Sequence, residues 1–455
     1  MTDFPSDSDG RRSSAALGRA VVADALRPVD PAAAAAAERE TDWRRGYPRH
    51  FRALVEAGLS ADGAAGYEIA EAGLLSLQSR MRYVRDDGEF TLAQALLAEP
   101  ERPYESIEFT GSAAPDRELD LVPRLDAWVA AGVIEESCAD AVREVAANPD
   151  WLDLSDLKFA LLGAGAEMGP LKWLLSWGAT VLAVDLPRPD LWERITGVAK
   201  ASAGRLIAPA GKDGALGADL GAEFPQIASW LLGFDGQLVL GNYGYAPGNA
   251  YPKLAAAVDA LAVHVRQQRP DTALAVLATP TDVYAVPAGA VEESRARFAA
   301  RGLRARVTAP ISGGQLLRPN YPQATVPGIN DSLVPQQGPN YALAKRIHRW
   351  RATLGRRDGL VSFAVAPPTR TRSVLNNRLL KAAYAGAHLF GVEVFDPATA
   401  SRLMAVLMVH QLRKPRVADA AAWRDETIAA AHGGLWRTAY FPRTALPLAA
   451  VRGFL

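Results

Sequence analysis

Residues 157–185 read LKFALLGAGAEMGPLKWLLSWGATVLAVD, and this stretch limits the fold more tightly than any other. LKFALL is an apolar run of strand length, LKWLLSW carries its apolar residues at helical spacing, and ATVLAV is a second strand-like run closed by Asp185. Between the first run and the helix stand Gly163, Gly165, Gly169 and Pro170. A proline is tolerated in the first turn of a helix, and Gly178 is placed to stop it. A strand that turns into a helix and returns as a strand is a crossover unit, which makes the two strands parallel neighbours.

The same alternation continues downstream. RLIAP, GQLVLGN, TALAVLAT and LVSFAVAPP are further strand candidates, each separated from the next by helical text. The expected fold class is therefore α/β, a doubly wound parallel Rossmann-like sheet buried on both faces. With 455 residues, two domains are the default expectation. Residues 1–149 read as a mainly helical N-terminal domain, with residues 1–14 polar and disordered and EPERPYESIEFTGSAAPDRELDLVP a long loop. Residues 150–455 form the Rossmann-like domain with a helical C-terminal part.

Bulk properties exclude several classes of function. Fifty basic side chains balance fifty acidic ones, so no basic surplus exists for a nucleic-acid backbone. The single cysteine, Cys138, rules out an internal disulfide, and six scattered histidines carry no metal-ligand spacing. No run approaches the roughly 18 apolar residues of a membrane span, and the first residues lack the pattern of a signal peptide. The expectation is a soluble cytoplasmic protein with a small-molecule substrate, no nucleic-acid or membrane partner, and a C-terminus apolar enough to dock on the body or on a second subunit.

The glycines of the first turn have a chemical use. Missing side chains let a backbone approach a pyrophosphate, whose charge suits the free N–H groups at a helix start. Asp185, twenty residues after Gly165, stands where a carboxylate accepts hydrogen bonds from ribose hydroxyls. Gly163, Gly165, Gly169 and Asp185 thus predict a dinucleotide site. The carboxylate would repel a 2′-phosphate, so NAD is favoured, with NADP left open by nearby Arg188. The spacing departs from G-x-G-x-x-G, which wants glycine where Met168 stands. A tight turn that binds nothing and the S-adenosylmethionine loop of a class I methyltransferase are the alternatives.

Further matches resemble the short-chain dehydrogenase/reductase superfamily, especially its extended members, over about residues 155–410. That family's G-x-x-x-G-x-G loop is met by Gly163 and Gly169, with Glu167 replacing the middle glycine. GADLG resembles its adenine-contacting pair, here Asp219 and Leu220, and GQLVLGNYGYAPGN its cofactor-side asparagine turn, here Asn242. LAVLATPTDVYAVP is similar to the strand ending S-S-x-x-V-Y-G. The family's serine falls on Pro280, so the resemblance implies that Thr279 or Thr281, with Thr281 preferred, supplies the hydroxyl. PQQGPNYALAKRIHRW offers Tyr341 and Lys345 as its Y-x-x-x-K, after an inserted stretch that suits a substrate loop.

The pair has a physical rationale. Tyr341 and Lys345 lie one turn apart on a helix whose apolar stripe is Leu343, Ile347, Trp350 and Leu354, with Gly355 expected to end it. A neighbouring ammonium is expected to lower the phenol's pKa toward neutrality, making it a usable proton donor. A solvated helix face is the plain alternative. Arg370 and Arg372 follow a strand and are candidates to hold an anionic group of the substrate. The reading is an NAD(P)-dependent oxidoreductase acting on an alcohol or carbonyl. An S-adenosylmethionine-dependent methyltransferase and a non-catalytic nucleotide sensor or scaffold remain beside it.

Overall fold

Each of the six apolar runs becomes a strand, and a seventh joins them. The computed structural model describes residues 1–59, 63–98 and 104–454. The central sheet comprises β1 (Glu105–Thr110), β2 (Leu157–Leu162), β3 (Thr180–Val184), β4 (Arg205–Ala210), β5 (Gln237–Asn242), β6 (Ala273–Ala278) and β7 (Val361–Val365). Their order is β7-β6-β5-β2-β3-β4-β1, parallel except for β1. The chain builds outward from β2 first to one side and then to the other. The reversal falls between β2 and β5, where Leu162 pairs with Asn242, and the loops leaving those two ends diverge.

Alternation along each run decides what covers it. Phe159, Leu161, Val181 and Ala183 share a core with the helices Glu136–Ala147, Leu171–Ser176, Pro189–Lys200 and Pro397–Arg413. Ala160, Leu162, Leu182 and Val184 point the other way, into a core with Phe224–Leu232, Ala250–Gln268 and Gly338–Asp358. Both faces are dry, so the runs are continuously apolar instead of alternating with polar residues.

The N-terminal third is mainly helical but contributes to both of these cores. Leu17, Val21, Phe51 and Leu74 pack in one cluster with Leu240, Ile347 and Trp350. Leu125, Trp128 and Val142 join the other, with Leu407. Hydrophobic burial is therefore continuous across residue 149.

Two expectations about this region are corrected. The first is the long loop. Its residues 99–103 lie outside the described residues, but Glu105–Thr110 pairs antiparallel with β4 as the sheet's edge. ESIEFT alternates charged and apolar residues, as suits an edge strand with one covered face, and the neighbouring prolines lie outside it. The second concerns residues 1–14, which are ordered. Thr2 and Asp3 pair with Tyr83 and Arg82, and the terminal ammonium donates to the Val84 carbonyl at 2.6 Å. Phe4 is 2% exposed, with the Lys253 ammonium 4.9 Å above its ring. One aromatic anchor outweighs the polar residues around it.

The helix bearing Tyr341 and Lys345 runs from Gly338 to Asp358, beyond Gly355. Gly355 does not stop it but lets it settle on the sheet. A Cβ there would lie 3.1 Å from both Leu274 and Val361 side chains. The later helix Pro397–Arg413 is capped by Asp396, whose carboxylate accepts from the Thr399 N–H at 2.9 Å. Among the described residues, no helix is long and apolar enough to cross a membrane.

The buried anchor gives a measurable expectation. Phe4→Ala should lower the unfolding free energy in urea by about 3 kcal/mol, as for other core aromatics. Val417→Ala, at a side chain 93% exposed, should leave it unchanged. Equal midpoints for the two variants would show that the first residues do not hold the fold.

Candidate functional site

The loops leaving β2, β5, β6 and β7 open on one side of the sheet and enclose a cleft of about 540 Å³ at the reversal of strand order. Seven residues singled out in the sequence as candidates line it: Gly165, Asn242, Thr279, Thr281, Tyr341, Lys345 and Arg372. Gly163, Gly169, Asp185, Asp219, Leu220 and Arg370 stand outside its wall. Arg44, from the N-terminal helix Trp43–Ala57, also reaches the cleft, so the first third of the chain helps to build the site.

The turn after β6 carries the hydroxyls. Thr279 and Thr281 are both buried, their Oγ1 atoms 2.9 Å apart, and Thr281 Oγ1 donates to Gln337 Oε1 at 2.9 Å. Gln337 caps the helix that follows, four residues before Tyr341 and eight before Lys345, so the three share a side. Lys345 Nζ donates to the Leu277 carbonyl on β6 at 3.4 Å. Turn and helix therefore present their polar groups to the same space.

A buried ionic clamp fixes them to each other. Asp282 is 1% exposed and accepts from Arg346 Nη2 at 2.8 Å and Arg349 Nη1 at 2.6 Å. Arg349 also grips Glu426 through two bonds of 3.0 and 2.6 Å, donates to the Val283 carbonyl, and lies 4.1 Å over the Tyr284 ring. Burial alone would raise the Asp282 pKa, but the two guanidinium groups outweigh it and hold the carboxyl below the ordinary value.

The electrostatics of the pair differ from the expected pattern. Burial pushes the Tyr341 phenol up to about 12, against hydrogen bonding from Thr279 and Gln337 that favours the phenolate. The same desolvation pushes the Lys345 ammonium down to about 8, with Asp282 pulling it partly back. The expected lowering of the tyrosine by its lysine is thus overturned. Removing water penalises the charged form of each group, and that is the largest cause at both. Tyr341 is a phenol throughout the neutral range.

The glycine turn is largely occupied by the protein's own bonds. Gly163 and Ala164 donate to the Val184 carbonyl, Gly165 to Asp185 Oδ2 at 2.7 Å, Ala166 to Gly163, and Gly169 to Ala166. Gly163 needs its missing side chain twice over, for a φ of +86° and for a backbone approach that would put a Cβ 2.6 Å from the Gly244 nitrogen. The amides of Glu167 and Met168, both lining the cleft, meet no acceptor among the described residues. Asp185 also accepts from the Leu186 N–H at 2.8 Å, and burial raises its pKa. Asp219 accepts from the Gly221 N–H at 2.8 Å, while Leu220 is buried in the core.

Of the two predicted substrate arginines, Arg370 is exposed away from the cleft. Arg372 lies on the rim, paired with Glu167 at 3.0 Å, and its own N–H donates to that carboxylate at 2.7 Å. Arg44 lines the same rim without an ion pair among the described residues, and Arg194 donates to the Gly165 carbonyl at 3.2 Å with its charge acting on Asp185. Arg188 is held by Asp190 at 2.6 Å.

No family model matches the chain, and no curated protein matches it. Sequence reasoning missed Gln337, Asp282 and Tyr384, the last of which also lines the cleft. Two of them left a trace. Gln337 lies one turn before Tyr341, and Asp282 stands in the short break between the apolar runs Ala273–Ala278 and Val283–Val286.

Asp282→Asn should cost roughly 3 kcal/mol of stability at neutral pH, since it leaves buried cations uncompensated. Because the folded pKa lies below the ordinary 3.8, the wild-type advantage should be complete above that value and shrink as pH falls through the lower, folded one. Urea titrations of both proteins across acid pH test this; parallel stability curves would refute it.

Proposed function

We propose that the protein is an NAD(P)-dependent oxidoreductase of short-chain-dehydrogenase type, interconverting an alcohol and a carbonyl in the cleft. The observation that carries the reading is the gathering of Thr279 and Thr281, Tyr341 and Lys345 on one cleft wall beside the reversal of strand order. The order β4-β3-β2-β5-β6-β7 supports a doubly wound Rossmann-like sheet, whose ligands bind outside that reversal. A small-molecule substrate and a cytoplasmic setting, with Cys138 buried and unpaired, complete the reading.

The residues suit the cofactor over part of its length. The free amides of Glu167 and Met168, with the cations Arg44 and Arg194, fit a pyrophosphate. Arg372 offsets the Glu167 carboxylate that would otherwise repel it. Asn242 and Lys345 are the groups for the nicotinamide end. Asp185, at the end of β3, keeps lone pairs for ribose hydroxyls and favours NAD. Asp219 and Leu220 have no place in this arrangement.

When bound, the cofactor supplies or accepts the hydride. The protein supplies the proton and the orientation. Tyr341, a phenol at neutral pH, gives its proton to the substrate oxygen as the carbonyl is reduced, and takes it back in oxidation. Thr281, turning its hydroxyl from Gln337, or Thr279, turning from Thr281, donates to that same oxygen and fixes its position. Lys345, cationic below about 8, stabilises the negative charge developing on the phenol oxygen. A methyl-transfer reading leaves this proton-handling cluster without a task. A non-catalytic sensor rests on Pro280 in the position of the family's serine.

Tryptophan-fluorescence titration with NADH, NADPH and S-adenosylmethionine separates these readings, and binding of the methyl donor alone would end this one. Tyr341→Phe should bind nicotinamide cofactor as the wild type does and lose about 100-fold or more in turnover of a carbonyl panel. Wild-type turnover by that variant would remove Tyr341 from the chemistry. The kcat/KM for reduction should be level at neutral pH and fall as pH rises through about 8, where Lys345 loses its proton. A profile flat through that pH would exclude a role for the ammonium.

A further inference from the structure

Beyond one wall of the cleft lies a second cavity, of about 70 Å³. Thr281, Pro368 and Tyr384 line both spaces and form the partition. The far side is carbon: Leu333, Val334, Ala387, Phe390, Val392 and Leu446. Three of its polar side chains are already engaged. Ser332 donates to Asn330 at 2.6 Å, Thr438 to the Phe390 carbonyl at 2.7 Å, and Arg443 pairs with Asp331. A ligand group entering here meets apolar surface.

The partition is built so that one molecule can use both sides. Thr281, a hydroxyl donor of the catalytic turn, forms part of it, so an atom held at Thr281 stands at the mouth of the pouch. Tyr384, on the helix Arg378–Gly386, interacts electrostatically with Tyr341, and its hydroxyl has no hydrogen-bond partner among the described residues. The expected anion clamp is absent from this end, because Arg372 is committed to Glu167 on the rim and Arg370 faces away.

We propose that the substrate is a carbonyl compound, or the matching alcohol, bearing a short uncharged aliphatic group that enters this pouch past Tyr384 while its oxygen stays between Thr281 and Tyr341. This assignment rests on the oxidoreductase reading above and names its substrate class. The volume sets the length. The pouch has about half of the roughly 150 Å³ that admits benzene to an apolar protein cavity, so a chain of roughly two to four carbons fills it. Each methylene buried there should raise affinity roughly fourfold until the space is full.

The test uses methyl ketones of increasing chain length with NADH or NADPH, and two variants on different elements. Ala387→Leu adds bulk to the wall and should move the chain-length optimum of kcat/KM to shorter ketones. Leu446→Ala removes bulk and should move it to longer ones. Either shift, in a variant whose cofactor affinity equals that of the wild type, supports the pouch. Turnover with the same chain-length profile in all three proteins overturns the pouch and leaves the oxidoreductase standing. Absence of any carbonyl or alcohol turnover by the wild type overturns both.

Discussion

The site depends on one buried carboxylate. Asp282 follows directly on the Thr279–Thr281 turn, and its two oxygens are claimed by arginines of the helix that carries Tyr341 and Lys345. Removing four charges from water is costly, and the arrangement stands because each one has a partner of opposite sign: Arg346 and Arg349 on Asp282, with Glu426 holding the rest of Arg349. The geometry leaves little freedom, since Arg349 also contacts the Val283 carbonyl and the Tyr284 ring. Turn and helix thus move as one body. On the proposed reading a hydroxyl and a phenol meet the same oxygen and need such a connection, because misplacement by about an ångström costs orders of magnitude in rate.

How far the sequence discloses this arrangement follows from how local each signal is. The six parallel strands are legible because both faces of the sheet are dry, so LKFALL and TALAVLA are uninterrupted apolar runs. The edge strand Glu105–Thr110 is not legible in the same way, because only one face is covered and ESIEFT reads as half polar. Phe4 is the single aromatic among the first fourteen residues, and its burial depends on Tyr83 and Lys253 far along the chain. Tyr341 and Lys345 are visible as a spacing within one helix. The partners that matter to them, Thr279, Gln337 and Asp282, are joined to them by tertiary geometry, and no periodicity reports that.

The glycine turn shows the same division between local and tertiary meaning. Its sequence suggests a row of open amides. In the fold, Gly163, Ala164 and Gly165 spend theirs tying β2 to the end of β3, through the Val184 carbonyl and the Asp185 carboxylate. Gly163 is needed for the close passage of main chain against Gly244, and Gly165 for the Leu191 side chain, which would lie 2.4 Å from a Cβ there. The donors left over belong to Glu167 and Met168, the two positions at which the sequence departs from the glycine patterns it was compared with.

Burial then decides which proton-transfer roles the site can fill. With Tyr341 near 12 and Lys345 near 8, phenol and ammonium coexist over the neutral range, while phenolate is scarce at any pH the fold would ordinarily meet. A group in that state gives up a proton only when an acceptor develops strong basicity, which a carbonyl oxygen does as hydride reaches its carbon. The reverse step must first make phenolate, at an energetic cost that grows with the separation between 12 and the ambient pH.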